Sequence, residues 1–385
     1  MKRFFKKSLI KFLKNRNMKI LLIGNYRVFN SRSMHLSAKL IKKILVNSKH
    51  KVQIIEPQII FNKIPIKSRI IKKWLSYIDK FIIFPLTLHS KIKGYDIIHI
   101  CDHANAFYYF FINNKKLSIT CNDLINIKLA FSNSNQKKIS FFGKLYQRII
   151  LHCLKKIKNI TCISEKTKTD LSKFINPKKN NINTIYMSLN ENYYQMNLSM
   201  AKKETKQFMV PDFFFLHVGA DIFYKNKKGL LKIFYHLQKK KIFKNYKLVM
   251  IGDKLSVELS QFIKKNNLKN YVINISHEIS AKQLCAFYNM ADSLIFPSLQ
   301  EGFGWPIIEA QACGCPVFTT NKPPMNVIGG KGSTYINPNF PIKAAEIISK
   351  NFPHSSKKIN LNFKNVKNYS IEKMAKKYNN FFQNL

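Results

Sequence analysis

Two carboxylates bracket a glycine-rich turn in Phe296–Pro316, FPSLQEGFGWPIIEAQACGCP. Glu301 stands just ahead of Gly302, Phe303 and Gly304, and Glu309 follows eight residues after Glu301. The glycines let the backbone come close to a ligand. Pro306 suits the first turn of a helix, where its missing N–H costs nothing. The free N–H groups of such a helix start attract an anion, phosphate above all. The spacing predicts a helix opening near Pro306 with Glu309 in its first turn, so that both carboxylates face one anion-binding mouth. The chain has 19 acidic residues in 385, and two of them frame this one turn.

These residues need rigid elements to hold them. Short apolar runs alternate with helical spacing along most of the chain, which argues for parallel sheets covered on both faces. Residues 18–24 (MKILLIG), 51–56, 95–102 (YDIIHICD), 118–121 and 159–163 read as strands of a first domain. The grammar restarts with strands at 213–219, 247–253, 271–276, 292–297 and 316–320, and helices at 228–238, 255–266 and 281–290 between them. The polar, Lys-rich stretch at 195–209 followed by Pro211 marks a boundary. The expected organisation is residues 1–17 as a basic extension, 18–208 and 209–369 as two domains, and 370–385 as a closing amphipathic helix. The fold class is α/β, two Rossmann-like doubly wound domains facing a cleft. Such sheets bind ligands beyond the carboxyl ends of their strands.

The chain carries 66 Lys+Arg against 19 Asp+Glu, a net charge of +47. That excess suits a polyanionic partner such as nucleic acid or anionic lipid. Only six of these residues are arginine, and arginine is the better fork for phosphate and base edges, so specific nucleic-acid readout is disfavoured. Compositional drift towards lysine accounts for part of the charge. The extension MKRFFKKSLIKFLKNRN sets Phe4, Phe5, Leu9, Phe12 and Leu13 near one helical face and lysines on the other, as in a helix lying on an anionic membrane surface. No apolar run approaches bilayer length. Seven scattered cysteines, mostly within apolar runs, read as reduced thiols of a cytoplasmic protein. Cys313 and Cys315 are expected to pack in the core.

The Glu301–Glu309 segment resembles the Glu-x7-Glu signature of retaining glycosyltransferases of the GT-B fold, family 4, and the likeness extends over nearly all of the chain from Met18. The resemblance implies that Glu309 holds the ribose hydroxyls of a nucleotide sugar. It implies that Glu301 meets the donor-sugar hydroxyls, and that the amides of Phe303 and Gly304 line the sugar and diphosphate. HVGADIFYKNKKGLLKIF (217–234) is similar to the family's glycine turn followed by a basic residue on the diphosphate, which carries over to Gly219 and Lys225. The pattern departs at Ala220, where many members have arginine; Lys227 or Lys228 could stand in. In the first domain the turn at Gly24 matches the cleft-side turn. The family histidine carries over to His103, with His99 as the alternative. Asn122 replaces a family histidine. Ser164 is expected to cap a helix. The base is expected on the backbone around His277–Ile279.

The nine aspartates contain no Asp-x-Asp pair, the metal motif of the other large glycosyltransferase fold, and no zinc cluster is evident. The resemblance therefore implies no metal and no cofactor, with the nucleotide sugar as co-substrate and a glycan or lipid-linked acceptor in cell-surface polysaccharide or lipopolysaccharide synthesis. Lys225 and the helix start would take the place of a cation. Two other readings stand beside it: a basic nucleic-acid-binding protein, which lacks any recognisable recognition element, and a nucleotide-sugar epimerase of the same fold.

Overall fold

A computed structural model describes residues 17–29, 32–113, 116–132 and 139–385. The amphipathic extension expected at 1–17 lies outside the described residues apart from Asn17. The chain divides into two compact units, one of Met1–Met187 with Ile371–Leu385, the other of Ser188–Ser370.

The first unit is built on six parallel strands, β1 (Lys19–Ile23), β2 (Lys51–Ile55), β3 (Ile97–Ile100), β4 (Leu117–Cys121), β5 (Asn159–Cys162) and β6 (Asn181–Thr184), in the order β2-β1-β3-β4-β5-β6. The central strands are buried along their whole length, which is why they read as short runs without charged residues. Ser164 caps the helix Glu165–Leu171 by accepting from the Thr167 N–H at 3.2 Å.

The second unit repeats the plan with β7 (Phe214–Gly219), β8 (Lys247–Gly252), β9 (Val272–Ile275), β10 (Ser293–Phe296), β11 (Val317–Thr320) and β12 (Thr334–Ile336). Its order is β12-β11-β10-β7-β8-β9, again all parallel. Chain order reverses between β7 and β10, which makes that gap the switch point where doubly wound sheets take ligands. Cys313 and Cys315 pack in this unit's core, as expected.

One expected boundary is corrected. The first unit ends at Met187, not at 208, because residues 188–208 pack on the second unit. The helix Leu198–Thr205 lies against the helix Ala281–Met290. The Met196 N–H donates to Asn289 Oδ1 at 2.7 Å, and Lys282 pairs with Glu204 at 2.7 Å. These contacts are non-local, so polarity alone made the stretch resemble a linker. The closing helix Ile371–Gln383, expected as a segment of its own at 370–385, groups with the first unit. Its apolar face buries Tyr378 and Phe382 edge-on against His99, and Asn379 Nδ2 donates to Ser48 Oγ at 2.7 Å. Each buried ring contributes on the order of 2 kcal/mol or more.

Candidate functional site

In the second unit the segment after β10 turns through Glu301 and Gly302 into the helix Trp305–Ala312. Gly304 is the N-cap at φ 104°, ψ 49°, a conformation that side chains oppose. Pro306 lies at the second helical position, as the sequence implies. Glu309 is the fifth helical residue and so falls just beyond the first turn, a correction to the expectation; the helix begins at Trp305, one residue before the proline. Phe303 is buried edge-on to Tyr369, with ring centres 5.7 Å apart, and this anchors the turn.

Lys225 comes from the turn after β7. Asn226 adopts a left-handed conformation and caps the helix Lys227–Gln238, its Oδ1 accepting from Gly229 N–H at 3.1 Å. Asn226 Nδ2 donates to the Pro297 carbonyl at 3.1 Å, and the Leu299 N–H donates to the Tyr224 carbonyl at 2.7 Å. These two bonds clamp the Lys225 turn to the Glu301 turn. The result is an ion pair, Lys225 Nζ to Glu301 Oε1 at 2.7 Å, with both side chains largely buried. The ammonium also lies 5.0 Å from the centre of the Phe296 ring.

Glu309 is buried and accepts from Tyr288 Oη at 2.9 Å. Burial pushes its carboxyl up to about 7, against the opposing hydrogen bonds of Tyr288 and Tyr193. Tyr193 lies in the stretch assigned from sequence to the other domain, and its ring packs edge-on to Tyr288 at 5.9 Å. Both tyrosines were missed because they lie far from Glu309 in the chain and no local motif marks them. Ile279 is buried just ahead of the capping box Ser280–Gln283 and has no polar side-chain atom to offer. Gly219 ends β7. Of the two lysines considered as substitutes for the arginine absent at 220, Lys227 is buried and donates to the Asp253 carbonyl at 3.4 Å, while Lys228 pairs with Glu258.

In the first unit the ends of β1 and β3 converge. His103 Nδ1 lies 3.2 Å from Asp102 Oδ1, and both residues are buried. Burial would lower the imidazole, but the Asp102 carboxylate raises it on balance. Burial would likewise raise Asp102; hydrogen bonds from His103, Asn25 and the Ala104 N–H hold it well below the usual carboxylate range. Asn25 Nδ2 donates to Asp102 Oδ2 at 2.6 Å, Asn122 Nδ2 to Oδ1 at 3.1 Å, and Asn105 Nδ2 to the Gly24 carbonyl at 3.3 Å. The expected pair of Gly24 and His103 is therefore joined by Asp102, Asn25 and Asn105, which sequence reasoning did not assign to the site. Gly24 also has a local reason to lack a side chain, since a Cβ there would lie 2.9 Å from Glu56 Cγ. The alternative, His99, is a core residue. Its ring nitrogens sit 2.9 Å from Ser118 Oγ and 2.8 Å from Thr120 Oγ1, and burial pushes it down to about 3.

Among the described residues no group of three or more His, Cys, Asp or Glu is placed to hold a metal ion, and no helix is long and apolar enough to cross a membrane.

Two Rossmann-like α/β units with carboxylates and a lysine gathered at strand ends define the fold class of the GT-B proteins, and the solved structures similar to this chain agree. Residues 201–358 match the family described as glycosyl transferases group 1. The O-antigen chain mannosyltransferase RfbU of Salmonella typhimurium is 31% identical over 202 residues, covering 52% of this chain and 52% of the relative. The chain thus spans about half the length of that curated relative in the match. Sucrose-phosphate synthase from Thermosynechococcus elongatus superimposes with a TM-score of 0.73 at 16% identity, over 96% of this chain and 99% of that one. HepE from Anabaena, solved with UDP and glucose, gives 0.71 at 16% identity, over 96% and 100%. Those two likenesses are of fold.

Proposed function

We propose that the protein is a retaining, nucleotide-sugar-dependent glycosyltransferase acting on a glycan or lipid-linked acceptor in O-antigen or related cell-surface polysaccharide synthesis. The observation that carries this reading is the Lys225–Glu301 pair, clamped at the switch point of the second unit beside the Gly304 helix start. The family match over 201–358 and the likeness to RfbU support it.

On this reading Glu309 accepts from the ribose hydroxyls and Glu301 from hydroxyls of the donor sugar. Lys225 and the N–H groups at the helix start neutralise the diphosphate as negative charge builds on it. The bond between the anomeric carbon and the diphosphate oxygen breaks. The acceptor oxygen then bonds that carbon from the same face and passes its proton to the departing diphosphate. Glu301 orients the sugar and forms no covalent bond. His103, held by Asp102, serves the acceptor side. The cationic work assigned to Lys225 leaves no step that requires a metal.

A cytoplasmic protein resting on the inner membrane face fits a lipid-linked acceptor. The helix Arg69–Ile78 supports this, since it exposes Ile70, Ile71 and Trp74 (61% exposed) next to Arg69, Lys72 and Lys73.

The test is a thermal-shift and transfer assay against UDP, GDP, ADP and TDP and their sugars. GDP-mannose comes first because RfbU is named a mannosyltransferase, and UDP-glucose second because HepE was solved with UDP and glucose. Stabilisation by one nucleotide and its sugar is the expected result. An NMR spectrum of the first product with the donor's anomeric configuration supports retention, and an inverted product overturns it. No response to any nucleotide or sugar overturns the whole reading.

A further inference from the structure

His217, on β7, has no part in the mechanism above, yet it sits at the switch point of the second unit. Strands β7 and β10 pair only over Phe215–Leu216 against Ser293–Leu294. Beyond that register the imidazole takes over from the backbone: His217 Nδ1 lies 3.0 Å from the Ile295 carbonyl. A carbonyl only accepts, so Nδ1 carries the proton, and in the neutral ring Nε2 is left with a lone pair. The ring is fully buried, and burial pushes it down to about 3, so it stays neutral at working pH.

Among the described residues Nε2 has no hydrogen-bond partner. A buried acceptor left in this state costs on the order of 1–3 kcal/mol, which makes its position worth explaining. The position is next to Lys225. A Cβ built on Gly219 would lie 3.3 Å from His217 Nε2 and 3.3 Å from Lys225 Cδ, so the orphan nitrogen and the lysine stem flank one point. The stem ends in the ammonium that is now engaged by Glu301. If a ligand takes Glu301, that ammonium needs another acceptor to keep it in place.

We propose that His217 is a positioning residue for Lys225: when the sugar hydroxyls of a bound nucleotide sugar engage Glu301, the Lys225 ammonium turns at the end of its stem and donates to His217 Nε2, which holds it against the diphosphate. The inference rests on the donor-site reading given above. Gly219 supports it, because any side chain there would crowd both partners.

Two substitutions separate this role from packing. His217→Asn keeps an N–H donor near Nδ1, with its tie to Ile295, and removes the acceptor. His217→Gln restores an acceptor near Nε2. The measurements are isothermal titration with inorganic pyrophosphate and with the donor found in the panel, transfer turnover, thermal midpoint, and the 15N shift of His217 Nε2. The expected result is a roughly tenfold or greater loss of turnover in His217→Asn, as for a hydrogen bond to a charged group, at an unchanged thermal midpoint. His217→Gln should recover most of that loss. The Nε2 resonance should move on donor saturation in the wild type and stay put in Lys225→Met. Turnover that falls only in step with the thermal midpoint, or an Nε2 resonance unmoved by bound donor, overturns the inference and leaves the donor site standing. A wild-type protein that binds neither pyrophosphate nor any nucleotide sugar overturns both.

Discussion

Lys225 and Glu301, 76 residues apart in the chain, meet at 2.7 Å with little of either side chain in water. A pair this secluded escapes the screening that makes surface ion pairs nearly worthless. On the proposed donor-site reading it also sets a cost on catalysis, because both charges must be shared with a ligand before either can act on it.

Breaking the pair from one side leaves the other charge stranded. Lys225→Met should destabilise the second unit by about 3 kcal/mol, and the double variant Lys225→Met/Glu301→Gln should recover most of that loss while remaining inactive. Urea unfolding of the wild type and the two variants checks both statements. A single variant as stable as the wild type would mean the pair contributes nothing to the fold.

Glu309 provides two pH signatures of opposite sign. Its folded carboxyl stands at about 7 against an ordinary 4.5, so the folded state binds the extra proton. The associated stability is fully present below about 4.5 and is lost as pH rises through 7, by about 3 kcal/mol. Glu309→Gln should abolish that slope. Affinity for a nucleotide sugar, which needs the ionised acceptor, should instead rise from pH 6 to 8 in the wild type and stay flat in the variant. Unfolding and titration series across this range read both.

Gly304 occupies a φ of 104°, and an added Cβ would meet Ile307 Cδ1 at 3.3 Å. Gly304→Ala should therefore cost about 1–2 kcal/mol and tilt the helix start away from the diphosphate. A weaker midpoint in urea together with a raised KM for the donor is the expected outcome.

The last helix tests the division of the chain. Phe382→Ala should cost about 3–4 kcal/mol and should loosen the first unit, since its ring packs on His99 of that unit. Hydrogen exchange should show lost protection in β3 and β4 with β7 and β10 unchanged. The reverse pattern would contradict the assignment.

The proposed membrane contact can be tested apart from the proposed donor site. Trp74→Ala combined with Ile70→Ser should lower binding to vesicles containing phosphatidylglycerol and leave binding of the free nucleotide unaltered, and deletion of residues 1–17 should act in the same direction. Vesicle sedimentation at low and high salt distinguishes apolar insertion from lysine attraction alone.

What was legible in the amino-acid sequence was local or periodic. Parallel strands buried on both faces must be short apolar runs, so β1, β7, β8 and β10 stood out within a residue or two of their ends. Gly304 and Pro306 were legible because a left-handed N-cap and a helix start favour those types, and Glu301 and Glu309 stood out by their spacing around them. The helix Ile371–Gln383 was visible by its amphipathic period, but which unit it covers was not, because an apolar stripe does not name its partner. Only tertiary structure decided that His99 is core while His103 meets Asp102, that Tyr193 crosses an expected boundary to reach Glu309, and that Lys225 faces Glu301 with His217 beside its stem. The contacts of His99 with Phe382, of Tyr193 with Glu309 and of Lys225 with Glu301 join residues tens to hundreds of positions apart. Pairing at such range follows from how sheets and helices pack, and no local pattern of residues encodes it.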